Sequence, residues 1–339
     1  MTHPILEKYF SIKGAQPVHW KDGYETYIYN GFLYSIVMVT HVEQETMEEL
    51  YEMSEHLVKE GDRYVATFVL SKQNKFLVTE KDQDFVLLKA PLRYAPSHVR
   101  FGRKLGKLHR MGRSIQKTIT ATSRMGQWKD LWSKRLQQME NVWNEMVREH
   151  PNTPFTKYFV ESFPYYLGLT ETAIQYLVDT EIDDKPLAQD AGTICHEHFY
   201  DDAWGKKYWI HHPFDWVFDH ASRDLSEWVR GKYFRFTSTF HPDVEQFFGE
   251  YQTVNSLSSF SWRLLYARLL FPLHYFECIE EYFLVASEQK QKQLEEQLEK
   301  CLRYSTDYER FLSSFYHVAR VPLRKYKIPT IKWLGKPVL

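Results

Sequence analysis

The chain reads as an α+β protein of two lobes: a small antiparallel β lobe over residues 1–90, then a larger, mainly helical lobe over residues 91–339. Three observations point to that class. The 339 residues exceed the roughly 100–200 that one compact domain usually holds. Aromatic and β-branched runs with turn signals between them crowd the first 90 residues. Beyond Ala90-Pro91 the strand signals give way to long stretches of helical periodicity.

Taken in order, ETYIYNGFLYSIVMVTHV holds two strand-like runs either side of Asn30-Gly31, a dipeptide suited to the positive φ angles of a two-residue hairpin turn. Met47, Leu50, Met53 and Leu57 then recur at spacings of three and four, and Gly61 follows where a helix favours a C′ glycine, so one amphipathic helix is predicted. YVATFVLS and KFLVTEKDQDFVLLK read as further strands, the last two joined through the KDQD turn. Helices are predicted at Val99–Met111, Trp128–Glu149, Phe155–Val178, Val244–Phe248, Phe260–Ala286 and Glu288–Phe315. Phe271, Tyr275, Phe276, Tyr282 and Phe283 fall at near-helical spacing and read as core, while EQKQKQLEEQLEK reads as a solvated helix face. The exception lies between Ile194 and Arg230, where short apolar pieces are crowded with His and Asp. Any chemistry is expected there.

Composition excludes several classes. With 43% apolar and 26% charged residues, and only 14 Gly and 14 Pro, the chain is neither disordered nor of low complexity. A formal charge of −1 supplies no global field toward nucleic acid or an acidic membrane. The 56 aromatic residues supply large rigid contact surfaces, inside the fold and for partners. Cys195, Cys278 and Cys301 are odd in number and far apart, which suits a reducing compartment rather than a disulfide framework. MTHPILEKYF carries Glu7 and Lys8 where a signal peptide needs its apolar stretch, and no run approaches the ~18 apolar residues of a membrane span. A cytoplasmic protein without membrane insertion is expected. No GxGxxG, GxxxxGK, GxSxG or HExxH is present, so no cofactor is expected from motifs.

Two clusters remain. His196, His198, His211, His212 and His220 lie within 25 residues, alongside Asp201, Asp202, Asp215 and Asp219. On a strand, His196 and His198 would share a face, and with Asp215 they would offer a metal shell. The other reading is hydrogen-bonded histidines packed in the fold. From Phe85 to Lys129 no acidic residue occurs among eleven basic ones. Arg103, Lys107 and Arg110 are the central candidates for docking an anionic partner surface, against the alternative of a solvated helix face. Asp224 and Arg230 read as structural anchors.

The order of β lobe, connector and helical lobe is that of kinase-like folds, and particular residues resemble one branch of them. Leu105-Gly106-Lys107-Leu108-His109 is similar to the LxxLH helix of aminoglycoside-phosphotransferase and choline-kinase-like proteins. The stretch from His196 to Ala203 is similar in position to their HGDxHxxN loop, and Asp215-Trp216 followed by Asp224-Leu225-Ser226 resembles their metal-binding DF or DW segment and DLA. Within that superfamily the chain most resembles the kinase-like spore coat proteins of endospore-forming bacteria, the YutH type, whose DHxSRDLxEW stretch is close to Asp219–Trp228.

What the resemblance implies depends on departures from the motif. The Asp of HGD, which accepts the proton of the attacking hydroxyl, has its place held by His198. The Mg²⁺-binding Asn corresponds to Ala203, which has no ligand atom. The metal-binding Asp aligns with Asp215 only if the chain is about three residues shorter than usual before Asp224; ungapped spacing selects His212. FLYSIVMVTHV carries no Lys for the phosphates, leaving Glu52 or Glu55 on the following helix without a partner. Removing one charge-stabilising group already costs ~2.7–4 kcal/mol of transition-state stabilisation. The expectation is therefore a pseudokinase: a structural or assembly component of the spore coat, made in the mother-cell cytoplasm, whose partners are other coat proteins rather than a small-molecule substrate. Were the site active, the motif positions are His196, His198 and Asp215. A divergent ATP-dependent small-molecule phosphotransferase, and a metal-binding protein using the 196–220 cluster, stay open as alternatives.

Overall fold

The computed structural model describes residues 3–97 and 99–334. The strands are β1 (Gln16–Pro17), β2 (Glu25–Tyr29), β3 (Phe32–Met38), β4 (Thr67–Phe68), β5 (Val78–Glu80), β6 (Gln83–Pro91), β7 (Thr193–His196) and β8 (Trp216–Asp219). The helices are α1 (Pro4–Phe10), α2 (Gln44–Lys59), α3 (Phe101–Arg113), α4 (Trp128–Glu149), α5 (Pro154–Asp183), α6 (Ser222–Arg235), α7 (His241–Gln252), α8 (Ser259–Leu270), α9 (Leu273–Leu284), α10 (Glu288–Arg303), α11 (Ser305–Val318) and α12 (Leu323–Tyr326). They fall into two compact units. The first comprises residues 1–124, 192–224 and 250–255; the second comprises 125–191, 225–249 and 256–339.

In the first unit an antiparallel sheet runs in the order β1-β2-β3-β6-β4, with β5 also pairing β6. The predicted hairpin is present: Tyr29 pairs with Phe32 across Asn30 (φ 47°) and Gly31 (φ 76°). The KDQD turn is present too, with Lys81 and Asp82 at positive φ between β5 and β6. YVATFVLS contributes only the two residues of β4, Thr67 and Phe68 pairing with Lys89 and Leu88 of β6. Side chains alternate across the sheet as the pleat requires. Tyr27, Tyr34, Ile36 and Leu87 pack with Leu6 and Ile12, whereas Leu33, Leu88 and Ala90 pack with Trp20, Tyr208 and Ile210. The second set matters for the site, since Trp20, Tyr208 and Ile210 lie on that face of the sheet.

The helix predicted before Gly61 is α2, which buries Leu50, Met53 and Leu57. It closes as a Schellman motif, the amide of Gly61 donating to the carbonyl of Val58 and that of Asp62 to the carbonyl of Leu57. A second, two-stranded sheet pairs β7 with β8, His196 opposite Trp216. It lies against α3, where the close approach needs glycine: a Cβ on Gly112 would sit 2.6 Å from the backbone nitrogen of Ile194.

The second unit is helical. Phe155, Phe159, Phe163, Tyr166, Ala173 and Leu177 form the buried stripe of α5, and α8 is buried all round. Two of the predicted helices are each two. Phe260–Ala286 breaks at Pro272, which has no amide to continue the ladder, and Glu288–Phe315 breaks at Tyr304. Phe271, Tyr275 and Phe276 are core, whereas Phe283 is 43% exposed. Arg230 is buried and donates to the carbonyls of Arg268 and Phe271, an anchor as expected.

Candidate functional site

The candidate site lies within the first unit, and Asp224 is its centre. Asp224 is the third residue of α6 and fully buried. Its carboxylate accepts from the backbone amide of His196 at 2.8 Å, from Nδ1 of the same residue at 2.7 Å, and from Nε2 of His109 at 3.1 Å. These bonds assign the ring protons. With Nδ1–H of His196 directed to Asp224, its Nε2 is the acceptor for the indole N–H of Trp204 at 3.0 Å. His109 likewise gives its Nε2 proton to Asp224 and accepts from the hydroxyl of Tyr251 at 2.9 Å.

Burial pushes the His109 ring below its ordinary range. Burial also works to raise Asp224, but the two histidines outweigh it and hold the carboxyl low. Ligand atoms of His109, Cys195 and Asp224 come within 4.8 Å of one another. Burial drives the Cys195 thiol up, and its sulfur donates to the carbonyls of Asp219 and His220, so the three groups form a hydrogen-bonded core with a protonated thiol rather than a thiolate shell.

His198 lies elsewhere. The strand ends at His196, so the alternation that would put both rings on one face stops there; His196 is buried and His198 exposed. Arg223 ties this segment down, reaching the carbonyls of His196 and Glu197 and the carboxylates of Glu197 and Asp219. Ala203 is buried and brings no side-chain ligand, and Asp202 pairs with Lys206 at 3.5 Å.

Asp215 ends the short turn after His212 and has both oxygens engaged. Lys21 approaches one at 2.8 Å, and the hydroxyl of Tyr24 donates to the other at 2.7 Å. Burial tends to raise this carboxyl, but His212, Lys21 and Tyr24 more than offset it. His212 is itself pushed down to about 4 by burial, so near neutrality the positive charge is that of Lys21. Trp20 stacks on His212 at 5.5 Å, Tyr24 meets the same ring at 4.1 Å, and the indole of Trp20 donates to the carbonyl of Tyr208 at 2.9 Å. Gly205, at φ +94°, admits the indole: a Cβ there would fall 2.3 Å from Nε1 of Trp20.

Lys21 and Tyr24 escaped sequence reasoning because neither lies on the third strand or in a motif. The available signal was Trp-Lys-Asp-Gly-Tyr in the loop between the first two strands, where a kinase keeps glycines over the phosphates. On α2, Glu52 pairs with Lys117 of the basic stretch at 3.1 Å. The buried glutamate is Glu49, whose carboxylate accepts the amides of Thr120, Ala121 and Thr122 and the Thr122 hydroxyl. Arg103, Lys107 and Arg110 stand together on the exposed face of α3, opposite buried Leu105, Leu108 and His109, and none of the three forms an ion pair with a described residue.

A family model described as "Spore coat putative kinase YutH" matches residues 3–315. The chain is also 42% identical over 332 residues to the endospore coat-associated protein YutH of Bacillus subtilis (strain 168), spanning 98% of this chain and 97% of that one. The chain belongs to this family. Among solved structures it is similar to an aminoglycoside phosphotransferase from Alicyclobacillus acidocaldarius, with a TM-score of 0.67 at 14% identity over 94% of this chain and 96% of that one. A microcompartment-associated aminopropanol kinase gives a TM-score of 0.59 at 12% identity, covering 93% and 97%. At such identities the likeness shows the fold alone: the α+β, kinase-like fold expected from the motifs.

Proposed function

We propose that this protein is a coat-associated structural or assembly component in which a kinase fold has lost phosphotransfer and acts through protein–protein contacts. The observation that carries the proposal is the state of Asp215 and its surroundings. A metal-binding carboxylate needs free oxygens for Mg²⁺, yet both oxygens of Asp215 are held by Lys21 and Tyr24. Rings of Trp20, Tyr24 and His212 pack where the loop between the first two strands would cover phosphates. Ala203 offers no second metal ligand and β3 no lysine. The residues present do not fit a Mg²⁺–nucleotide. Coat association is supported by the Bacillus subtilis relative, whose name describes it as endospore coat-associated, and localisation from mother cell to coat is part of the proposal. Arg103, Lys107 and Arg110 are the proposed contact with acidic coat partners.

Two measurements test this. A ligand at ten times its Kd adds about 1.4 kcal/mol of stability, so Mg²⁺–ATP is expected to leave the melting temperature unchanged; a shift abolished by chelating Mg²⁺ overturns the loss of phosphotransfer. Reversing Arg103, Lys107 and Arg110 to Glu is expected to preserve melting and to weaken salt-sensitive retention in the coat; unchanged retention removes this face from the proposal.

A further inference from the structure

A hollow of about 720 Å³ opens in the first unit beside α3, and neither Asp215 nor Lys21 nor Tyr24 lines it. Arg63, Arg93, Lys104, Lys107 and Arg110 line it, contributed by three separate segments: the turn after α2, the residues after β6, and α3 itself. None of the five forms a close ion pair with a described residue, although Lys104 acts electrostatically on Asp62. Two acids share the lining, Glu60 and Asp62, and Asp62 is already committed, accepting from Nδ1 of His211 at 2.8 Å and from the amide of Tyr64 at 2.8 Å. Five cations against two carboxylates leave an excess of three positive charges around one concavity.

His211 adds a second mark. It lines the hollow at 6% exposure, and its Nε2 is buried without a hydrogen-bond partner. Nδ1 is committed to Asp62, which leaves Nε2 as the ring nitrogen without a partner. Buried polar atoms in native folds almost always have partners, so this one points to an absent group. Tyr64, Leu108 and Met111 complete the wall with apolar surface, Lys104 lying 5.4 Å over the ring of Tyr64. A volume within the ~300–1,000 Å³ of small-molecule sites and guanidinium forks suited to bidentate contacts fit a compact ligand.

We infer that this hollow binds a small oxyanion bearing two or more negative groups, of the phosphate-ester or polycarboxylate class. It shares Lys107 and Arg110 with the docking face proposed above but does not depend on coat assembly. The test is titration calorimetry of the full chain with pyrophosphate and with citrate in 150 mM salt, against sodium chloride added at matched ionic strength. Saturable binding is expected for at least one probe, and the stronger probe identifies the class. An Arg63→Glu/Arg93→Glu variant is expected to weaken binding about tenfold or more, the scale of one charge-assisted hydrogen bond, with its melting temperature unchanged because both side chains are exposed. Arg103→Glu, outside the hollow, is expected to bind like wild type. Heat no larger than the chloride control, wild-type binding by the double variant, or an equal loss in Arg103→Glu overturns the inference. Coat retention of the single Arg103→Glu variant reads the docking proposal separately, since Arg103 belongs to that face alone.

Discussion

His212 offers the most quantitative test of how the site is packed. Its ring is 1% exposed, neither nitrogen has a hydrogen-bond partner, and Trp20 and Tyr24 hold it between them. Burial takes its pKa from the ordinary 6.5 to about 4. Because the folded value lies below the unfolded one, the unfolded chain binds the proton first, and stability falls as pH drops from about 6.5 toward 4. Between pH 7 and pH 4.5 these two values make the loss from this one residue about 2–3 kcal/mol. His212→Phe keeps a ring in the stack and removes the titration. Over the same interval the wild-type melting temperature is therefore expected to fall by about 5 °C or more beyond that of the variant, at the usual ~2–4 °C per kcal/mol for a unit of this size. His109 remains in both proteins and cancels in the comparison, and Asp215, whose carboxyl His212 helps to hold low, titrates below this pH interval. Equal pH dependence in wild type and variant would refute the enclosure of a neutral His212 by Trp20 and Tyr24.

Asp224→Ala strands the backbone amide of His196 and two imidazole N–H groups in a fully buried place, at about 1–3 kcal/mol for each unsatisfied donor. A destabilisation of roughly 3–9 kcal/mol is expected by chemical denaturation, enough to exhaust the stability of many domains; a change under about 1 kcal/mol would contradict the central role of that carboxylate. Gly205→Ala combines a φ of +94° with a Cβ placed 2.4 Å from the carbonyl oxygen of Tyr208, so a loss of at least about 2 kcal/mol is expected, accompanied by a change in tryptophan fluorescence as Trp20 is displaced. Unchanged melting and emission would show that the Trp20 contact is dispensable.

The elements legible in the sequence were those whose determinants are local. The Asn30-Gly31 turn, the α2 stripe ending at Gly61, the KDQD turn and the long helices need only neighbours along the chain to set φ, ψ or periodicity. The breaks at Pro272 and Tyr304 were blurred because apolar spacing runs through both positions, even though proline itself marks the first. The motif residues His109, His196 and Asp224 could be recognised one by one, and the missing Asn and strand Lys read as absences. Their arrangement belongs to tertiary structure alone. Asp224 meets His109 across 115 positions and Lys21 meets Asp215 across 194, distances over which no periodicity carries information. Sequence spacing likewise placed His196 and His198 on one strand face, whereas the end of β7 at His196 buries one ring and exposes the other. The charge segregation between Phe85 and Lys129 was visible from composition, but which cations close around a hollow followed from the turn after α2 bringing Arg63 and His211 to the same place as α3. Local rules decide which backbone shapes a segment favours. Which side chains share a buried, low-dielectric space, and so which charges are neutralised, enclosed or left facing outward, is decided by the packing of segments far apart in the chain.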